Sequence, residues 1–183
     1  VSRRLRVAVL LAAVALLVAG GWWLTGRSGT RSLPDSLCGT RVQADLLNPL
    51  LPPEGEVSVE DRVERKKPNP SSWCAVYVKG ETAVRLRFSW HSDRIDPMRI
   101  ADSTSPILGL EDPRRVEVAG SRAVAGNNGS IATTPCETRG GSQFTLAVLL
   151  DGGFDTNRNA DRSDLEAFMK AYFPATVETL GCA

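Results

Sequence analysis

The densest run of side chains able to hold a metal is Asp155-Thr156-Asn157-Arg158-Asn159-Ala160-Asp161-Arg162-Ser163-Asp164-Leu165-Glu166. Asp155, Asn157, Asn159, Asp161, Ser163 and Glu166 offer side-chain oxygen at positions 1, 3, 5, 7, 9 and 12 of a twelve-residue loop, the spacing with which an EF-hand surrounds calcium. Three features count against a working site. Ala160 stands at position 6, where the sharp turn wants glycine. Arg162 stands at position 8, where an apolar residue is usual, and a strand rather than a helix precedes the loop. Ser163 and Glu166 also read as an S-x-x-E capping box at the start of a helix, and Asp and Asn favour loops for their own reasons. The expectation is a helix start, with no metal and no other cofactor; the six residues stand only as candidate calcium ligands.

For catalysis the sequence supplies one histidine, His91, within Trp90-His91-Ser92-Asp93. Neighbours in an extended segment point to opposite sides, and the members of a catalytic triad come from separate segments. Ser130 or Ser142 would have to reach His91 in space, and neither lies in a nucleophile elbow. The glycine pairs Gly152-Gly153 and Gly140-Gly141 are turns without a phosphate-binding fingerprint. No catalytic residue is assigned; a hydrolase using His91 is the alternative.

Arg62, Arg65, Lys66 and Lys67 form a small basic cluster, diluted by Glu60, Asp61 and Glu64, that suits anionic headgroups or an anionic wall polymer. The whole chain of 183 residues carries a formal charge of only +1. A nucleic-acid binder would show a basic excess or stripe, so no nucleic acid is expected among the partners.

The four cysteines are Cys38, Cys74, Cys136 and Cys182. They lack the short Cys/His spacings of a zinc site. An even count read together with an export segment points to disulfides in an oxidising compartment. Three pairings are possible. Cys38–Cys74 with Cys136–Cys182 is preferred, because each then ties a helix end to a strand within one half of the domain.

Val7 to Leu24 contains 18 residues without a charge, close to the length a transmembrane helix needs. Arg3, Arg4 and Arg6 precede it, as on a cytoplasmic flank, and Trp22 and Trp23 fall where the outer interface would lie. No A-x-A signal closes the run, which favours an uncleaved anchor; secretion after signal-peptide cleavage is the alternative. The expected organisation is a cytoplasmic tail (1–6), a transmembrane anchor (7–24), a polar tether (25–36) and an extracytoplasmic domain (37–183).

Within that domain, Val42, Leu46, Leu47, Leu50 and Leu51 have helical spacing, ended by Pro52-Pro53, with Asn48-Pro49 disturbing the last turn. Val57–Val63 alternates weakly, and 64–72 is a charged, proline-bearing loop. Trp73–Val78 and the alternating run Val84, Leu86, Phe88, Trp90 read as an antiparallel hairpin about a turn at 79–82. Residues 92–113, broken by three prolines, are long for a loop and hide a short helix or carry function. Val116–Ala119, Ala123–Ala125 and Ser130–Thr134 are short strands, with a type I′ turn expected at Asn128-Gly129. Phe144–Leu150 reads as a central strand covered on both faces. Leu165, Phe168, Met169, Tyr172, Thr176, Val177 and Leu180 line one side of a final helix in which Pro174 should make a kink. The fold class is α+β: an antiparallel sheet of about five to seven strands, a helix at each end of the sequence and two disulfides, preceded by one transmembrane helix.

Cys38-Gly39, Trp73-Cys74, Pro135-Cys136-Glu137 and Leu180-Gly181-Cys182 carry a resemblance. In these short motifs the chain resembles small uncharacterised cell-envelope proteins of actinobacteria, which have an N-terminal anchor and a four-cysteine exported domain. The resemblance implies that layout and transfers no activity. The functional expectation is a non-catalytic extracytoplasmic module that binds a ligand or an envelope protein and meets the membrane through Val7–Leu24.

Overall fold

A computed structural model describes residues 32–64, 71–103, 109–151 and 160–182. The chain first makes a two-stranded ribbon, β1 (Ser36–Leu37) and β2 (Thr40–Arg41), which the sequence reading did not foresee. Cys38 and Gly39 form its two-residue turn, both with positive φ. Cys38 therefore sits in a hairpin turn rather than at a helix end. The expected helix over 42–51 is a single turn, α1 (Ala44–Leu47), which runs into a 3-10 turn at Asn48–Leu50. Pro49 is the reason: it has no N–H to donate into the preceding turn, so the chain tightens there.

The remaining strands are β3 (Val57–Asp61), β4 (Ser71–Val78), β5 (Glu81–His91), β6 (Arg114–Val116), β7 (Arg122–Ala125), β8 (Gly129–Thr138) and β9 (Gly141–Leu150). They form one sheet in the order β3-β4-β5-β9-β8-β7-β6, with every pairing antiparallel. β4 and β5 are the expected hairpin, joined through Lys79-Gly80, both at positive φ as a type I′ turn requires. That turn type is absent at Asn128-Gly129, where neither residue has positive φ. Gly126 N–H donates instead to Gly129 O at 2.8 Å, and the Asn128 side chain is used elsewhere: its Oδ1 accepts from Glu111 N–H at 2.8 Å. Pro135 is tolerated in β8 because it lies past the last residue that β7 pairs, so one side of the strand needs no donor there.

β9 is the middle strand of the seven, and Phe144–Val148 are all buried. Its two faces meet different clusters. Phe144, Leu146 and Val148 join Phe88, Trp90, Val76 and Leu86 in the main core. Ala147, with Leu149 packed at its margin, joins Val124, Ile131, Ala101 and Leu110 in a smaller cluster on the opposite face. That second face is covered in part by α2 (Pro97–Ala101), the short helix concealed in the proline-broken segment. Asp96 caps it, its side chain accepting from Met98 N–H. Residues 104–108 lie outside the described set.

The main core is closed by α3 (Arg162–Leu180), which buries Leu165, Phe168, Met169, Tyr172, Phe173 and Thr176. Phe173 stacks on Phe144 with centroids 5.9 Å apart, and the Tyr172 hydroxyl donates to Leu37 O at 2.6 Å, tying the helix to the ribbon. The helix continues through Pro174. The carbonyl that loses its donor there belongs to Lys170, an exposed residue that water can reach. A Schellman motif ends the helix: Gly181 adopts φ 70°, and the N–H groups of Cys182 and Gly181 return to Val177 O and Glu178 O. The left-handed step at Gly181 delivers Cys182 to Cys136 on β8, while Cys38 is bonded to Cys74 on β4. The bridges close segments of 36 and 46 residues, each worth about 4 kcal/mol by unfolded-chain entropy. Among the described residues no helix is long and apolar enough to cross a membrane; Val7–Leu24 lies outside them.

Candidate functional site

Strand alternation gives the sheet a core face and an outer face, and the outer face is divided in two. Over β7, β8 and β9 it is covered by α2 and Leu110. Over β3, β4 and β5 no described element packs on it. Outward there point Glu60 from β3; Ser71, Trp73, Ala75 and Tyr77 from β4; and Arg85, Arg87, Ser89 and His91 from β5. Arg62 continues the alternation past the end of β3, its N–H donating to Trp73 O at 3.1 Å.

The register makes a site of these residues. Trp73 stands opposite Arg87, and Ala75 stands opposite Arg85. The small Ala75 is the floor between the two larger aromatics of β4. Ser71, Trp73, Ala75, Tyr77, Thr82, Arg85 and Arg87 enclose a shallow open concavity of about 430 Å³. Trp73 is 37% exposed, the only large apolar side chain left open among the described residues. The Arg62 guanidinium lies 5.4 Å from the centroid of its ring, a cation–π contact.

The charges are arranged around that ring. Arg62 pairs with Glu60 at 2.6 Å, and Glu60 also accepts from the Tyr77 hydroxyl at 3.2 Å. The hydrogen bond from Arg62 is the main reason that Glu60 is held below the usual carboxylate range. Arg85 pairs with Asp151 at 2.9 Å. Arg87 differs from both: its Nε–H donates to the Ser71 hydroxyl at 3.1 Å, and it meets no carboxylate among the described residues. Three guanidiniums and two carboxylates thus share this part of the face with one open indole, Arg62 over its ring and Arg87 opposite it. Such a surface can stack a flat or ring-shaped group and hold an anion beside it.

The residues singled out for catalysis do not converge. His91 ends β5 on the outer face, paired in register with Gln143. Ser130 pairs with Val148, a main-core residue, so it belongs to the opposite face of the sheet. Ser142 donates to the backbone O of Ser92 at 2.8 Å, and the Ser92 hydroxyl donates to Asp93 at 3.4 Å. His91 Nε2 is buried without a hydrogen-bond partner among the described residues. Burial pushes the His91 pKa below its ordinary value, with the Arg87 charge acting in the same direction.

Of the calcium candidates, Asp155, Asn157 and Asn159 lie outside the described residues. The other three are used by the helix. Asp161, not Ser163, is the N-cap of α3: its Oδ1 accepts from Ser163 N–H at 2.7 Å and Asp164 N–H at 3.1 Å, and Asp164 returns a bond to Asp161 N–H. The expected Ser163–Glu166 box is therefore replaced by Asp161–Asp164, because the helix begins two residues earlier and Asp reaches the free N–H groups as an anion. Glu166 pairs with Lys170 at 2.7 Å instead. Among the described residues no cluster of His, Cys, Asp and Glu is placed to hold a metal ion. Of the basic cluster, Arg62 is described and belongs to the open face; Arg65, Lys66 and Lys67 lie outside the described residues.

The open face was not foreseen as a site, although its signal is in the text. Trp73, Ala75 and Tyr77 occupy the outer positions of a strand whose partner places Arg85 and Arg87 on the same side. An aromatic residue on the polar half of an alternating pair of strands is the mark of such a face. No family model, curated protein or solved structure matches the chain.

Proposed function

We propose that this chain is a non-catalytic module of the cell envelope, held outside the cytoplasm by Val7–Leu24, which binds its ligand on the open half of the sheet. Support for export comes from the 18-residue uncharged run and from four cysteines that are all in disulfides. The binding reading rests on one observation. The only large apolar side chain exposed among the described residues, Trp73, lies in a concavity with two arginines on its rim and a third over its ring. An isolated exposed tryptophan would need no explanation; one surrounded by arginines on an uncovered concave surface resembles a recognition hot spot in composition.

The test is co-sedimentation of the full chain, in mild detergent, with the insoluble envelope fraction of its own cells. The wild-type chain should sediment with that fraction. Arg87→Gln and Trp73→Ala should remain in the supernatant while keeping a cooperative melting transition. Equal sedimentation of all three would remove the open face from the account. Thiol labelling of intact cells tests the topology. Label should enter only after a reductant is added, without permeabilisation; cysteines reachable only after the membrane is opened would contradict export.

A further inference from the structure

We infer that the ligand of the open face is an acidic glycan, with a sugar ring laid on the Trp73 indole and its carboxylate held by Arg87. This rests on the binding reading above and adds the chemical class of the ligand. Three observations carry it. The apolar part of the site is small, the exposed Trp73 ring with the Ala75 methyl and the Tyr77 ring beside it: the other residues of the concavity are a serine, a threonine and two arginines, and the Tyr77 hydroxyl is engaged by Glu60. A sugar offers the matching surface, one apolar face edged with hydroxyls. A protein partner needs a desolvated apolar centre within roughly 800 Å² on each side, and a lipid surface needs several apolar residues to insert. Neither is present on this face among the described residues.

The second observation is the charge left over. Glu60 and Asp151 answer Arg62 and Arg85, while Arg87 has only the Ser71 hydroxyl among the described residues. A guanidinium fork held beside an indole accepts a carboxylate through two parallel N–H bonds. The third is the register. Arg87 stands directly opposite Trp73 on the neighbouring strand, and side chains opposite each other are about 5 Å apart at Cβ. An acid group attached to a ring on Trp73 therefore lies within reach of Arg87. The concavity of about 430 Å³ falls within the roughly 300–1,000 Å³ of small-ligand sites.

The experiment titrates the full chain, in mild detergent, with four probes: oligogalacturonate, the same oligomer with its carboxyls reduced to alcohols, inorganic polyphosphate, and phosphatidylglycerol vesicles. Calorimetry gives affinity, and tryptophan emission reports on the ring. Oligogalacturonate should bind at least about tenfold more tightly than the reduced oligomer, the scale of one charge-assisted hydrogen bond. Arg87→Gln should bring the two oligomers to equal affinity. Trp73→Ala should weaken both by about tenfold, with Trp73→Tyr intermediate. Equal affinity of the two oligomers for the wild-type chain overturns the inference. So does tighter binding of polyphosphate, which has charge without rings, or of vesicles. Should no probe bind while the chain still sediments with envelope in a manner dependent on Arg87, the glycan assignment fails and the binding reading stands.

Discussion

Trp73 and Arg87 face each other across the β4–β5 ladder, on a part of the sheet that no described element covers. The pair separates binding from folding. Among the described residues Arg87 makes a single side-chain hydrogen bond, to an exposed serine, so Arg87→Gln should change stability by no more than about 0.5 kcal/mol. Trp73 rests partly on its strand neighbours, and Trp73→Ala should cost about 1–2 kcal/mol. Urea unfolding measures both. A loss above about 3 kcal/mol for Arg87→Gln would show that this residue supports the fold.

The helix start should behave as a cap and not as a metal site. Asp161→Ala removes the acceptor for two backbone N–H groups and should lower the melting temperature by about 2–6 °C. Glu166→Ala removes only an ion pair with Lys170 and should lower it by about 1 °C or less. The bond from Ser163, followed by that from Asp164 N–H, holds Asp161 below the usual carboxylate range. Its contribution is therefore present above about pH 4 and lost as pH falls further. Calcium and chelator should leave the wild-type melting temperature unchanged. A calcium-dependent rise that Asp155→Ala abolishes would contradict this.

Arg162 should be the most sensitive exposed-end residue of α3. One Nη2 donates to Asp112 O and Oδ2, each at 2.7 Å, and to Asn127 Oδ1 at 3.0 Å, joining the helix to the approach to β6 and to the β7–β8 turn. A lysine ammonium ends one bond short of the Nη2 position from which these three bonds are made, so Arg162→Lys should recover only part of the stability lost in Arg162→Ala. The Arg162 bond, ahead of the Arg114 charge, holds the Asp112 carboxyl below its usual range. The stability it confers is present above about pH 4 and lost below it. Melting curves between neutral pH and acid should show a shallower acid loss in Arg162→Ala than in the wild-type chain. Parallel curves would remove the ion pair from the account.

His91 gives a second acid-sensitive term, at higher pH. Burial first, and Arg87 second, lower its pKa in the folded state. The neutral ring is therefore favoured on folding. Its contribution is full above about pH 6.5 and is lost as pH falls through the lower folded value. His91→Gln should flatten that part of the stability profile. An unchanged profile would show that the ring titrates alike in folded and unfolded chains.

Much of the sheet was legible because alternation is a local signal. Val84, Leu86, Phe88 and Trp90 against Arg85, Arg87 and Ser89 set the two faces of β5 without tertiary help. The apolar run Phe144–Leu150 likewise marked the strand at the centre. The errors lie where one residue type serves two purposes. Asn128-Gly129 has the composition of a type I′ turn, yet the Asn128 side chain is bonded to Glu111 N–H and Gly109 O, partners remote in sequence. Ser163 has the residue type of a cap, but the helix starts two residues earlier, and Asp161 accepts from the N–H groups of Ser163 and Asp164. The ribbon at 36–41 is too short to leave a periodic trace; its form is set by positive φ at Cys38 and Gly39. The site itself was the least legible. Which half of the outer face stays open depends on where α2 and Leu110 settle, and that is decided by packing across the whole sheet.

The central claim is that ligand meets the outer face at Trp73, and the indole N–H resonances test it most directly. Trp90 is the control, since it is buried in the main core on the opposite face of the same sheet. Envelope fragments from the host cell, solubilised with a muramidase, are titrated into the full chain labelled with nitrogen-15. The Trp73 indole N–H signal should shift and saturate, together with the Arg87 Nε–H signal, while that of Trp90 stays in place. A saturable shift of other residues that leaves Trp73 and Arg87 unmoved would contradict the account.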